Sequence, residues 1–259
     1  MEFLPSISYP DNEKPKLALL ENLFREWHQH FADNGSALVK HVADEMVFDG
    51  FYPHYFSQKK RILFIGREPR QISGLNNMDV LYPAYREGKR IGDQHLNQNK
   101  FHYRMIYIAY GIIKGMPVWQ DIPTASEIGD TFGASNGLSF AFMNISKLSN
   151  EDDGWQSDWG VIDAVHGLST QGRSFNQEQV AILEPHIVIT MNLGDKIASL
   201  GQLTPIQDSQ MPRTFWLDSA GHCSLLIDTW HFSAPSKDDI ADYYTPICDA
   251  IRRSEASPT

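Results

Sequence analysis

Three times in this chain a short apolar run ends abruptly in a polar turn, and that pattern limits the fold more than any other feature. Arg61-Ile62-Leu63-Phe64-Ile65 runs into Gly66-Arg67-Glu68-Pro69-Arg70. Ser139-Phe140-Ala141-Phe142-Met143 runs into Asn144. Ser224-Leu225-Leu226-Ile227-Asp228-Thr229-Trp230 delivers His231 into Phe232-Ser233-Ala234-Pro235-Ser236. A further run, Ile187 to Met191, leads into Asn192-Leu193-Gly194-Asp195. Apolar runs this short, rich in β-branched and aromatic residues, suit strands buried on both faces. Helical patterns alternate with them, which predicts an α/β fold with a central, mostly parallel sheet of four or five strands flanked by helices.

The rest of the chain fills in that frame. Pro15 can open a helix, and Leu17, Leu20, Leu23, Phe24, Trp27 and Phe31 recur at helical spacing after it. Gly35-Ser36 breaks the pattern, and Ala37 to Phe48 reads as a second helix, with Leu38, Val42 and Met46 on one face. Residues 1–58 thus form a helical extension expected to pack on a single domain spanning 1–259. Residues 70–99 and 117–136 read as long loops, separated by a helix over Phe101 to Lys114. Asn176 to Leu183 reads as a helix, and Ser219-Ala220-Gly221-His222 as a hairpin turn between Thr214–Leu217 and Ser224–Ile227. Lys237 to Arg253 closes the chain as a helix containing Pro246.

Composition removes several function classes. With 259 residues and 42% of them hydrophobic, the chain can bury a large core. No apolar run approaches the roughly 18–20 residues that span a bilayer, and Met1-Glu2-Phe3-Leu4-Pro5 lacks the pattern of a signal peptide. Cys223 and Cys248 cannot build a four-cysteine metal site; they read as reduced, mostly buried thiols, and the default location is cytoplasmic. His95 and His102 have no third ligand at zinc-site spacing, so no metal is expected. A net charge of −10 works against phosphate contacts, although Lys59-Lys60-Arg61, Arg67 with Arg70, and Arg86 through Arg90 are basic clusters.

The order and spacing of the strand ends resemble the uracil-DNA glycosylase superfamily over roughly residues 61–253. That family carries a Gly-x-Asp-Pro-Tyr-like turn after its first strand, an asparagine after a later apolar strand, and a His-Pro-Ser-Pro-like loop after its last. Leu183-Glu184-Pro185-His186-Ile187-Val188-Ile189-Thr190-Met191-Asn192-Leu193-Gly194 is similar to the family's strand running into a glycine turn. The resemblance implies base excision in DNA repair, with Glu68 on the attacking water, Asn144 on the edge of the base and His231 on the leaving base. It places Gly66, Pro69 and Arg70 around the pocket, and Ser233 and Ser236 on phosphate. No metal or organic cofactor is implied. An asparagine amide suits that role because it offers a donor and an acceptor together.

This chain departs from the family pattern at several points. Glu68 stands where the family has aspartate, Arg70 where it has tyrosine, and Phe232 where a proline follows the histidine. Lys237-Asp238-Asp239 stands where an apolar wedge fills the gap left by a flipped base. Two aspartates press poorly into a duplex, so single-stranded DNA, or a free nucleobase or nucleoside, is the expected partner of a monomer. Binding is expected to be weak and strongly salt-sensitive. Two rival readings remain open: a nucleobase- or nucleic-acid-binding module without chemistry, and a hydrolase that uses Glu68 and His231 on a small nucleotide.

Overall fold

In the computed structural model, which describes residues 2–35, 42–154 and 156–256, the four apolar runs meet in one sheet. Its strands are β1 (Gly50–Phe51), β2 (Ile62–Gly66), β5 (Ala141–Asn144), β6 (Ile187–Met191), β7 (Gln202–Gln207), β8 (Arg213–Ser219) and β9 (His222–Thr229). The spatial order is β1-β5-β2-β6-β9-β8-β7. The central block β5-β2-β6-β9 is parallel; β1 pairs antiparallel with β5 at one edge, and β8 and β7 continue the other edge as successive antiparallel pairs from β9. The expected sheet is therefore present but larger. The extra strands are β1, two residues long, and β7, an exposed edge strand with Pro205 inside it. Proline is tolerated there because an edge strand leaves one row of N–H positions unpaired.

Period-two alternation divides the core. Leu63, Ile65, Ala141, Met143, Val188 and Leu226 face one side. Ile62, Phe64, Phe142, Ile189 and Ile227 face the other. The first side is covered by α1 (Lys14–Asn34), α5 (Trp159–Thr170) and α6 (Phe175–Leu183), with Leu23, Trp27, Ile162, Val165 and Val180 buried. The second is covered by α2 (Asn77–Pro83), α3 (Lys100–Ile113), α4 (Ala125–Gly129) and α7 (Thr245–Ala256). A small ribbon, β3 (Arg90–Ile91) with β4 (Gln94–His95), lies outside the sheet.

Several expectations need correction. Within Ala37 to Phe48, residues 37–41 lie outside the described residues, and the rest is turn and bridge, not helix. Val47 N–H donates to the Lys147 carbonyl and Phe48 N–H to the Leu75 carbonyl, so tertiary pairing takes the backbone groups a helix would need. Residues 70–99 contain α2, a π-helical turn at Ala84–Gly88 and the ribbon, and 117–136 contain α4. Helix α5 adds a further element between β5 and α6. The closing helix begins as a π-helical turn over Asp239–Tyr244 before α7. Both cysteines are free, but Cys223 is exposed rather than buried. Among the described residues, no helix is long and apolar enough to cross a membrane.

Candidate functional site

The parallel block places the C-terminal ends of β5, β2, β6 and β9 along one edge of the sheet. Chain order reverses about β2, because β5 lies on one side of it and β6 on the other. Such a reversal opens a crevice at the carboxyl ends of the strands. The polar turns singled out by the sequence are the ends of β2, β5 and β9.

Gly66 and Asn144 are register partners at the ends of β2 and β5. Asn144 is 2% exposed, and its side-chain amide has no hydrogen-bond partner among the described residues. The amide lies against Gly66 so closely that a Cβ there would fall 2.5 Å from Asn144 Oδ1 and 3.3 Å from Phe142 Cζ. Glycine is required at position 66 by this approach, not by its backbone conformation. The Asn144 backbone is fixed from behind by Asp49, whose carboxylate accepts the Asn144 N–H at 2.9 Å. Asp49 also accepts from Lys147 Nζ at 2.7 and 2.9 Å and from Gln179 Nε2 at 2.7 Å, in a fully buried cluster. Burial pulls the Lys147 pKa down while Asp49 opposes the shift. The strand ends are tied further by Ile145 N–H to the Gly66 carbonyl and Ser146 N–H to that of Arg67.

Aromatic walls flank this amide. Phe101, at the start of α3, has its ring 6.1 Å from Phe142 and 5.6 Å from His231. His231 follows β9, and its Nδ1 lies 2.7 Å from Ser233 Oγ. The Ser233 backbone N–H also donates to Nδ1 at 3.3 Å, which makes Nδ1 the acceptor and leaves the ring proton on Nε2. Burial, aided by the Arg67 charge, pushes the His231 pKa down to about 4. The imidazole is therefore neutral at pH 7.

The loop carrying His231 is held from below. Arg104, fully buried in α3, donates to the carbonyls of Phe232, Ala234 and Lys237 and pairs with Asp239 at 2.7 Å. Its guanidinium lies 4.4 Å from the Tyr243 ring centre, and Tyr243 Oη donates to the His231 carbonyl at 2.7 Å. Asp239 also accepts from Tyr103 Oη at 2.9 Å. Asp238 caps the following turn by accepting the N–H groups of Ile240 and Ala241.

Glu68 stands two residues beyond Gly66 in the turn after β2. Its side chain is 4% exposed and stands 3.7 Å from Arg70. Asn150 Nδ2 donates to it at 3.1 Å. Burial raises its pKa, against the opposing pull of Asn150, residues 157 and 158, and Arg70.

Of the sequence-predicted residues, Gly66, Asn144 and His231 are joined through the Phe142–Phe101 wall. Pro69 is buried, and its carbonyl accepts the Asn150 N–H. Arg70 is exposed and engages the carbonyls of Asp152, Gly154 and Gln156, so its guanidinium is spent on this neighbouring loop. Ser233 and Ser236 are exposed on the His231 loop. Among the described residues, no group of three or more His, Cys, Asp or Glu could hold a metal. His102 instead meets Tyr85 Oη at 2.7 Å.

Sequence reasoning missed Phe101, Asp49 and Arg104 as parts of this arrangement. Arg104 carried a signal: it is an arginine directly abutting an apolar stretch of helix, Met105-Ile106-Tyr107-Ile108-Ala109. Asp49 carried a similar one, an acid between Val47-Phe48 and Phe51. Comparison with known proteins brings no relative to this site: no protein-family model matches the chain, and no curated protein matches it.

Proposed function

We propose that this chain is a base-excising hydrolase of the uracil-DNA glycosylase type, cleaving the N-glycosidic bond of uracil or a related base. The observation that carries this reading is the Asn144 amide, set against Gly66 at the carboxyl ends of two neighbouring parallel strands. An amide that makes no side-chain hydrogen bond within the protein keeps its donor and acceptor available to a ligand. Its donor and acceptor match the N3–H and O4 edge of a pyrimidine. The Phe101 and Phe142 rings supply the apolar walls that a flat base needs.

The remaining groups fit the same reaction. Water adds its oxygen to C1′ as the C1′–N bond breaks; the departing base takes the bonding electron pair and leaves as an anion, and the proton lost by the water neutralises it. Negative charge grows on the carbonyl oxygens of the base. Neutral His231 offers Nε2–H to that charge without first having to lose a proton. Glu68 orients the water and stabilises the cationic sugar as a carboxylate. Arg104 and Tyr243 position the His231 loop, and the Asp49 cluster positions Asn144.

A second reading, a nucleobase-binding module without chemistry, is favoured by one observation: Glu68 is covered and held by Asn150 and Arg70. One experiment separates the two. A single-stranded oligonucleotide carrying one uracil is incubated with wild type and with Glu68→Gln, and free base is measured. Release by wild type, lost in Glu68→Gln, supports the hydrolase. Binding that depends on Asn144, without release by either protein, moves the assignment to the module.

A further inference from the structure

Arg67 follows Gly66 directly, in the polar turn after β2. It crosses to α5, where its guanidinium lies 4.8 Å from the ring centre of Trp159. The charges around it are already matched elsewhere. Glu68 stands beside Arg70, Asp228 pairs with Arg213 at 2.5 Å, and Lys196 pairs with Asp163 at 2.6 Å. Arg67 itself makes no ion pair among the described residues. Its hydrogen bond to the Asn192 carbonyl is long, at 3.4 Å. Its Nε is buried with no partner.

Arg67 is half-buried: burial works against its charge, the Glu68 and Asp228 carboxylates favour it, and neither forms an ion pair with it. A partly desolvated guanidinium with a buried, unpartnered Nε gains from binding an anion. The planar fork of arginine donors matches the oxygens of a phosphate, which can satisfy both charge and geometry. Arg67 also lies within electrostatic reach of His231, so an anion held there would sit beside the loop that presents Ser233 and Ser236.

We infer that Arg67 is the receptor for a phosphate group of the nucleotide ligand, binding it at the mouth of the crevice between the end of β2 and α5. The ligand is thus a nucleotide, free or in a strand, and a nucleoside lacks one of its anchors. This inference rests on the reading of the Asn144 cleft as a nucleobase site.

Trp159 makes the proposal measurable. It is 41% exposed, and the Arg67 cation lies over its ring, so an anion drawing Arg67 away alters its fluorescence. The change is isolated by comparing wild type with Trp159→Phe. Four probes are titrated: orthophosphate, deoxyuridine monophosphate, deoxyuridine, and a short single-stranded oligonucleotide. In wild type, the monophosphate is expected to bind about 10- to 100-fold more tightly than deoxyuridine, the range of one charge-assisted pairing. Arg67→Gln should remove that advantage and leave deoxyuridine affinity unchanged. Arg67→Lys, which keeps the charge and loses the fork, should retain part of it. The oligonucleotide arm tells whether a chain phosphate is taken as readily as a terminal one.

Equal affinity for monophosphate and deoxyuridine in wild type overturns the phosphate role while leaving the base cleft intact. An equal loss for both ligands in Arg67→Gln and Arg67→Lys shows that Arg67 acts on the base or on the fold, and also overturns it. Arg67-dependent binding of orthophosphate with no binding of any nucleoside preserves the anion site and removes the base reading. No response to any probe removes both.

Discussion

Gly66→Ala tests the site at the point where two strands touch. The new Cβ would stand 2.5 Å from Asn144 Oδ1, about 0.9 Å inside the 3.4 Å at which ordinary contact begins. The Asn144 backbone cannot retreat, because the β2–β5 ladder and the Asp49 carboxylate fix it. The side chain must rotate instead. Overpacking of this kind costs about 1–3 kcal/mol, and an off-rotamer side chain about 0.5–1.5 kcal/mol. We expect a loss of stability of about 1–2 kcal/mol, or roughly 2–8 °C in Tm at the sensitivity of a chain this size. The displaced amide should lower affinity for a base by about 10- to 100-fold, the worth of one bidentate pairing. The assay is a double-mutant cycle read by thermal unfolding and by base binding. In an Asn144→Ala background there is no Oδ1 to strike, so Gly66→Ala should cost little in either measurement. Full additivity of the two substitutions, or a Gly66→Ala protein that binds base as wild type does, would refute the reasoning.

Two further outcomes follow from the supports of the His231 loop. Arg104→Met removes every guanidinium bond to the loop carbonyls and leaves Asp239, whose side chain is 29% exposed, without its cation; a loss of about 1–3 kcal/mol is expected for the unmade hydrogen bonds of the loop carbonyls. If Arg104 is a positioning residue, Arg104→Lys should fold yet shift the His231 ring signals in an NMR spectrum, and unchanged signals would reduce its role to stability. His231, with a folded pKa near 4 against an ordinary 6.5, should stay neutral through pH 5 in an NMR titration. Because the unfolded chain takes up that proton first, His231 costs the fold stability as pH falls from about 6.5 towards 4 and costs nothing above that window. A midpoint above 6 would contradict the burial argument.

The parallel core was legible because its strands are continuous apolar runs, and the hairpin before His222 because Ala220-Gly221 is a turn signal. What escaped notice was local structure that depends on partners far away in sequence. Leu38, Val42 and Met46 look helical by spacing, yet Met46 and Phe48 are drawn into bridges with Leu148 and Asn76. Helix α2 is short and ends in Pro83; its start is visible only once the Asn76 side chain is seen capping Met78. Helix α5 is capped by Asp158 but diluted by Gly160 and Gly167, so its apolar face is narrow. Strand β7 is mostly solvent-facing and lacks alternation. At the site, the sequence supplied Gly66, Asn144 and His231, because strand ends are marked by their own residues. It could not supply Phe101, whose place against His231 is set by how α3 crosses the sheet.

The loop after His231 also changes the argument about strand preference. In the sequence, Asp238-Asp239 reads as an acidic tip that a duplex would repel. In the structure Asp239 faces Arg104 and Tyr103, while Asp238 caps a turn, so their charges are tied up in building the bend. Affinity for a strand then depends on which cations near the cleft remain unmatched. Lys237 is drawn to Asp242 and the Trp230 ring, and Arg70 to Glu68 and the 150–156 carbonyls. Among the described residues around the cleft, Arg67 and Lys100 have no carboxylate partner, Lys100 donating to the Pro235 carbonyl. One or two phosphate contacts on a single strand give a slope of log affinity against log salt of about −0.7 to −1.4. The strong salt dependence suggested by the basic clusters in the sequence should therefore shrink to this shallow value, since most of those cations are already engaged. Titration of a labelled single strand over a range of salt concentrations measures the slope. Arg67→Gln should lower its magnitude by about 0.7. A slope several-fold steeper in wild type would mean that the strand follows a basic path elsewhere on the surface and that the crevice mouth is not its anchor.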